Sequence, residues 1–189
     1  MEPKQRLIID TAIDIFAEKG FQQTTMQEIA ETAGVGKGTI YRFYSSKDDL
    51  LSSLVEFAIE DVTNEIRQAL EPIDDPVEKL RAIIAVEIAY YDDHPNLAKF
   101  LIREVLGYRM KFEDHIRQIQ SSRTAILEPI IQNGLDSGEF RQVNPTTIAA
   151  AIEGMILASV IQWFLLDNGF PREEIQADLE TSVFRGLLK

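Results

Sequence analysis

Apolar residues recur three and four positions apart along almost the whole chain, and no stretch keeps the strict apolar–polar alternation of a half-buried strand. The pattern predicts an all-α protein of about nine helices. Ile8, Ala12, Ile15 and Phe16 form one stripe from about Pro3 to Lys19, and Gly20 stops it. Thr25-Met26-Gln27-Glu28 has the spacing of a capping box and opens a short helix that ends at Ala33-Gly34. A third short segment runs from Lys37 to Tyr44. Ser46-Lys47-Asp48-Asp49 caps the next helix, whose stripe of Leu51, Leu54, Val55, Ala58, Ile59, Val62 and Ile66 continues to about Leu70.

Glu71-Pro72-Ile73-Asp74-Asp75-Pro76 is the one clear linker. Helices are then expected from Val77 to Asp93, stopped by His94-Pro95, and from Pro95 to about Leu106. A long helix follows from Tyr108 to Leu135, with Pro129 kinking it or starting a new one. Asn144-Pro145 starts the most apolar helix, to about Asp167, and Pro171 opens the last, to Leu188. The apolar run Ile148–Leu166 contains Glu153 and Gln162, so it reads as a buried helix rather than a membrane span. Asp10 and Asp14 interrupt the N-terminal apolar stretch before it reaches signal-peptide length, which points to a cytoplasmic protein.

Composition narrows the chemistry. The chain has 189 residues, no cysteine and two histidines, His94 and His115. Thiolate zinc sites, iron–sulfur clusters and cysteine nucleophiles are excluded, and neither a metal, a cofactor nor an enzymatic constellation is expected. His94, before Pro95, reads as a helix-stop residue. A formal net charge of −12 argues at first against nucleic acid, but its distribution matters more. Residues 1–50 hold six basic against eight acidic residues, so −10 of the total lies beyond them. From Thr32 to Lys47 there is no acidic residue, while Lys37, Arg42 and Lys47 are basic.

That basic window coincides with a helix-turn-helix layout. Ile29, Ala30 and Ala33 are apolar on the first helix, Gly34 supplies the turn, and Val35, Ile40 and Phe43 are apolar after it. The second helix of such a pair is the one placed in the major groove. It buries Ile40 and Phe43 and exposes Lys37, Thr39, Tyr41 and Arg42. Lys37, Arg42 and Lys47 suit phosphates, the hydroxyls of Thr25, Thr39, Tyr41 and Tyr44 suit phosphate oxygens or base edges, and Gly38 admits close backbone approach. Gly34-Val35-Gly36-Lys37-Gly38-Thr39 is not a phosphate-binding P-loop, because Glu31 and Gly38 stand where that loop needs glycine and a hydroxyl.

The run from Val35 to Leu50, with Phe16-Ala17-Glu18-Lys19-Gly20-Phe21 and Thr25-Met26-Gln27-Glu28-Ile29-Ala30 before it, resembles the DNA-binding signature of the TetR family of bacterial repressors. The motif covers about residues 5–55; beyond it only length and helical character are similar. One departure is visible: Phe43-Tyr44 stands where the family usually has His then Phe, and the Tyr44 hydroxyl is expected to replace the lost polar contact. The resemblance implies a three-helix DNA-binding head, residues 1–50, and a larger helical ligand-binding and dimerisation domain, 51–189. It implies a homodimer on a palindromic operator in double-stranded DNA, released by a hydrophobic small molecule, with DNA contact carried over to Thr25, Lys37, Gly38, Thr39, Tyr41, Tyr44 and Lys47. Arg42 is added on its charge.

Beyond the head, several residues stay open to more than one reading. Tyr90, Tyr91, Phe100, Phe112 and Trp163 are either core and interface or ligand contacts. Glu87 and Arg103 stand among apolar neighbours and either pair with each other or orient a ligand. Ile148, Ile152, Met155, Ser159 and Gln162 give the most apolar helix a face for two-fold packing, with an intrachain core as the alternative. This larger region loosely resembles regulators of fatty-acid metabolism that sense acyl-CoA; multidrug-sensing members are similar in size and composition. Acyl-CoA phosphates would use Arg103, Arg109 and Lys111, whereas a cationic drug would use Glu87, Glu104 or Glu153.

Overall fold

A computed structural model describes residues 1–102, 113–166 and 171–189. Among the described residues there are nine helices and no strand, only an isolated bridge between Phe140 and Leu188. The chain divides into two compact units, Met1–Ala58 with Pro95–His115, and Ile59–His94 with Ile116–Lys189.

The first unit opens with α1, Pro3–Lys19. Glu2 and Gln5 form a reciprocal cap at its start, and the N–H of Gly20, at φ 85°, closes its end on the Phe16 carbonyl. Ile8, Ile9, Ala12, Ile13, Ile15 and Phe16 are buried along it. The Phe16 ring stacks at 5.5 Å on Phe100 of α6, Pro95–Phe100, and meets Phe21 edge-on at 5.3 Å. Phe16 and Phe100 are both wholly buried, and each contributes roughly 1.5–3 kcal/mol by leaving water. Between them in sequence lie α2, Met26–Thr32, and α3, Lys37–Phe43. The helix α4, Lys47–Leu70, begins in this unit and continues into the second.

The second unit is built from α5, Pro76–Asp93, α7, Glu113–Asp136, α8, Pro145–Leu166, and α9, Arg172–Leu187. Asp75 caps α5 by accepting from the Glu78 N–H at 2.8 Å, and Asn144 caps α8 by accepting from the Thr147 N–H at 2.9 Å. Pro129 starts no new helix. It lies exposed inside α7, which runs through it. The core joins Leu80, Ile83, Ile84 and Ile88 of α5 to Ala149, Ile152, Ile156 and Val160 of α8 and to Leu179, Val183 and Phe184 of α9. Phe140 is wholly buried beside Gly134 of α7, where any side chain would overlap its ring.

The most apolar helix is buried on one side only. Ala150, Ala151, Gly154, Leu157 and Ala158 of α8 are exposed, Leu157 by 43%. A helix apolar all round is ordinarily covered all round.

Candidate nucleic-acid interface and a buried ionic cluster

The two short helices of the first unit assemble as a helix-turn-helix for local reasons. Thr25 caps α2 through its side-chain oxygen, which accepts from the Glu28 N–H at 3.1 Å. Gly34 turns the chain at φ 65°, a conformation costly for residues with a side chain, and Val35 then donates to the Ala30 carbonyl at 2.9 Å. Ile29 and Ile40 are wholly buried and Ala30 nearly so, which fixes the inner faces of both helices. Turned outward from α3 are Lys37, Gly38, Tyr41 and Arg42, with Thr39 half-buried; Thr25 is also exposed. Tyr41 is 45% exposed, unusual for a large aromatic with nothing in its own chain to cover it. A side chain at Gly38 would meet no atom within 4 Å, so nothing described in this chain requires glycine there.

Three expectations for this motif change. Of the Phe43-Tyr44 pair, Tyr44 is the core residue, 3% exposed, and Phe43 is only half-buried. The chain turns out of α3 at Tyr44 into extended backbone, φ −136°, which swings residue 44 inward. Phe43 lies under the Arg42 guanidinium, 4.6 Å from the ring centre. Lys47 is not a cation facing outward. Its ammonium donates to the carbonyls of Phe21 and Thr24 at 2.7 Å and of Gln22 at 3.4 Å, and sits 4.4 Å above the Phe21 ring. Lys47 ties the loop between α1 and α2 to the start of α4.

In the second unit Glu87 of α5 is 2% exposed, Arg123 of α7 is 5% exposed, and Glu153 of α8 has a largely covered carboxyl. Arg123 Nε stands 3.0 Å from Glu87 Oε1 and 4.0 Å from Glu153 Oε2. The 3.0 Å approach lacks hydrogen-bond direction. Among the described residues Glu87 Oε1, Arg123 Nη1 and Glu153 Oε1 are buried without a hydrogen-bond partner. One guanidinium cannot neutralise two carboxylates in a dry interior. Burial raises the Glu87 carboxyl above its ordinary range despite Arg123. Burial, and then the charge of Glu87, pushes Glu153 up to about 9. Arg123 stays firmly charged, because the two carboxyls outweigh its own desolvation. The Tyr91 hydroxyl faces the same three groups and is raised by burial first and Glu87 second.

Glu87 therefore pairs with Arg123. The other candidate, Arg103, lies outside the described residues, as do Glu104, Arg109, Lys111 and Phe112. Arg123 escaped the sequence reading because serines and a threonine surround it. Its signal was phase, four residues before Leu127 and seven before Ile130, both buried. The remaining ligand candidates disperse. The Tyr90 hydroxyl donates to Asp61 of α4 at 3.1 Å, its ring rests on His94, and Glu65 completes that polar group. Phe100 belongs to the core of the first unit. Trp163 lines a groove of about 390 Å³ between α8 and α9, together with Met155, Ser159 and Gln162 from the face predicted for dimerisation. Ile148 is half-buried; Ile152 is 2% exposed and packs into the chain's own core, so it does not share that face.

Comparison with known proteins gives two family matches along the chain. Residues 8–54 match the model of bacterial regulatory proteins of the tetR family, and residues 73–187 match the tetracyclin repressor-like C-terminal domain. The chain belongs to the TetR family of DNA-binding, ligand-binding transcriptional regulators. It is 28% identical to the fatty acid metabolism regulator protein of Bacillus subtilis, over 89% of this chain and 87% of that one. A crystal structure of FadR from Bacillus subtilis in complex with stearoyl-CoA is 26% identical, with TM-score 0.84 over 96% of this chain and 98% of that one. The fold is also that of the fatty acid degradation regulator FadR from Bacillus halodurans, at TM-score 0.91, 24% identity and coverage of 98% and 97%.

Proposed function

We propose that the protein is a cytoplasmic repressor, not an enzyme, that holds a palindromic operator as a homodimer and releases it on binding a long-chain acyl-CoA. The observation that carries the DNA reading is α3 itself: Lys37, Tyr41 and Arg42 stand outward, with Thr39 half-buried, around a Gly38 that nothing described in the chain requires. A phosphate backbone or base edge fits a helix whose outer side is donors and one bare glycine. Thr25 adds a hydroxyl from the start of α2. Lys47 and Tyr44 act from behind, holding the head in shape.

The dimer is supported by the uncovered apolar side of α8. Pro145–Phe164 is long and apolar enough to cross a membrane by composition, yet a second copy packed against Leu157, Gly154, Ala158 and the groove to α9 accounts for it as an interface. The acyl-CoA reading is supported by the full-length likeness to a regulator crystallised with stearoyl-CoA. Release requires that the ligand bind better to a conformation whose heads no longer fit both half-sites, and α4, common to both units, is the element to carry that change.

Selection of bound fragments from host genomic DNA tests this. An enriched palindrome, released by a long-chain acyl-CoA and lost in Tyr41→Ala, is the expected result. No enrichment with purified protein or with added cell extract overturns the DNA reading, and an operator complex indifferent to acyl-CoA overturns the effector.

A further inference from the structure

We propose that Glu87, Arg123 and Glu153, with the Tyr91 hydroxyl, form the polar end of the effector site and grip an uncharged carbonyl embedded in an otherwise apolar ligand. On the acyl-CoA reading, on which this rests, that group is the thioester carbonyl.

Three separate helices each bring one ionised or ionisable side chain to one point in an apolar interior. A purely structural ion group satisfies its own atoms, since every buried charged atom left open costs stability. Here Arg123 Nη1 and Glu153 Oε1 are open among the described residues, and Glu87 Oε1 has only its ion-pair contact with Arg123 Nε. Native interiors hold few groups of this kind, and those they hold ask for a partner. Tyr90 and Tyr91 apart, the described neighbours one turn away that are buried are hydrocarbon: Ile83 and Ile84 beside Glu87, Leu127 beside Arg123, Ala149 and Ile156 beside Glu153. The ligand portion that fits is therefore apolar on both sides of a single polar group.

Charge balance selects the kind of group. Arg123 offsets one carboxylate, and burial together with Glu87 keeps the second carboxyl protonated near neutral pH, so the cluster is already balanced. A charged ligand would leave one buried charge uncompensated. A carbonyl oxygen accepts from Arg123 Nη1, a charge-assisted bond, and leaves the balance untouched.

Calorimetric titration of the full chain with dodecanoyl-CoA and with S-dodecyl-CoA tests this, because the thioether lacks only that carbonyl and keeps the other amides. Dodecanoyl-CoA is expected to bind at least about tenfold more tightly, the worth of one hydrogen bond to a charged group. Arg123→Lys, which keeps the charge but loses the guanidinium fork, is expected to erase the preference. Glu153→Gln, which copies the uncharged carboxyl, is expected to keep it; should Arg123→Lys not fold, the wild-type pair and Glu153→Gln decide. Equal affinity for the two CoA compounds in the wild type overturns the inference. If neither CoA compound binds, the acyl-CoA reading falls, and 1-lauroylglycerol against its 1-dodecyl ether decides the inference instead. A preference for the ester sustains it and no preference, or no binding, overturns it. Tight binding of dodecyltrimethylammonium that disappears in Glu153→Gln also overturns it, in favour of a cation site.

Discussion

The head carries its chemistry on the outside of one short segment, whereas the second unit keeps its chemistry inside and assembles it from three helices. Residues 25–42 supply Thr25, Lys37, Gly38, Thr39, Tyr41 and Arg42, all on or next to a single pair of helices. Glu87, Arg123 and Glu153 come from α5, α7 and α8 and are covered by their own chain. On the proposed function the contrast follows from the partners. A DNA duplex is large and charged and must be met at a surface with donors. A small apolar effector is held by removing it from water, so its few polar contacts lie in an interior where each is strong and each unmet one is expensive.

Four experiments break or sharpen the contrast. The largest effect is expected from Leu157→Glu on the exposed side of α8. With α8 as the proposed dimer seam, a charge there should convert a dimer to monomers in sedimentation velocity and abolish operator binding while helix content stays unchanged. A variant that remains dimeric at micromolar concentration removes α8 as the seam.

Next is Gly38→Ala. The methyl meets nothing within 4 Å in the chain, so thermal stability should hold or rise, by about 0.5–1 kcal/mol for a glycine replaced in a helix. Operator affinity should nonetheless fall by at least about fivefold, a contact's worth of roughly 1–3 kcal/mol. Unchanged affinity would mean that no duplex approaches α3 closely at that point.

Gly134→Ala asks the opposite question inside the second unit. Its methyl would overlap the wholly buried Phe140 ring, so the variant should lose about 1–3 kcal/mol in denaturant unfolding, as over-packed cores do. Binding to operator by the surviving folded fraction should be unaltered.

The last effect is a change of slope. A carboxyl raised in the folded state, as Glu153 is to about 9 from 4.5, favours folding most below its unfolded value, and that advantage is lost as pH rises through the folded one. The loss is at most about 1.4 kcal/mol per pH unit within that window. Glu153→Gln cannot ionise, so its melting temperature relative to wild type should climb between pH 6 and pH 8.5. A constant difference would show that the carboxyl is already ionised at pH 6.

The two units also differ in how far they could be read from sequence. Thr25, Gly34, Ile40 and Tyr41 lie within about five helical turns, and their roles follow from capping, positive φ, burial and exposure, all local properties. Yet Lys47 looked like a phosphate contact by charge and spacing, and only the packing of α1 against α2 brings three carbonyls to its ammonium. Phe43 and Tyr44 exchanged places for a similar reason: helical phase points residue 43 inward only if the helix continues, and it ends there. In α8 apolarity could not separate the face that takes Ile152 into the core from the face that leaves Leu157 outside, because both are equally hydrophobic.

The sequence by itself determined the helices, the cap at Thr25, the turn at Gly34, the basic window and, through them, a DNA-reading head, because each depends on residues a few positions apart. Tertiary structure alone decided that Glu87 meets Arg123 and Glu153, since their distance in sequence carries no information about their distance in space. It decided also that both carboxyls hold their protons above the ordinary range. A protonation state in a dry interior is set by the number of charges gathered there, and that number exists only once α5, α7 and α8 have packed.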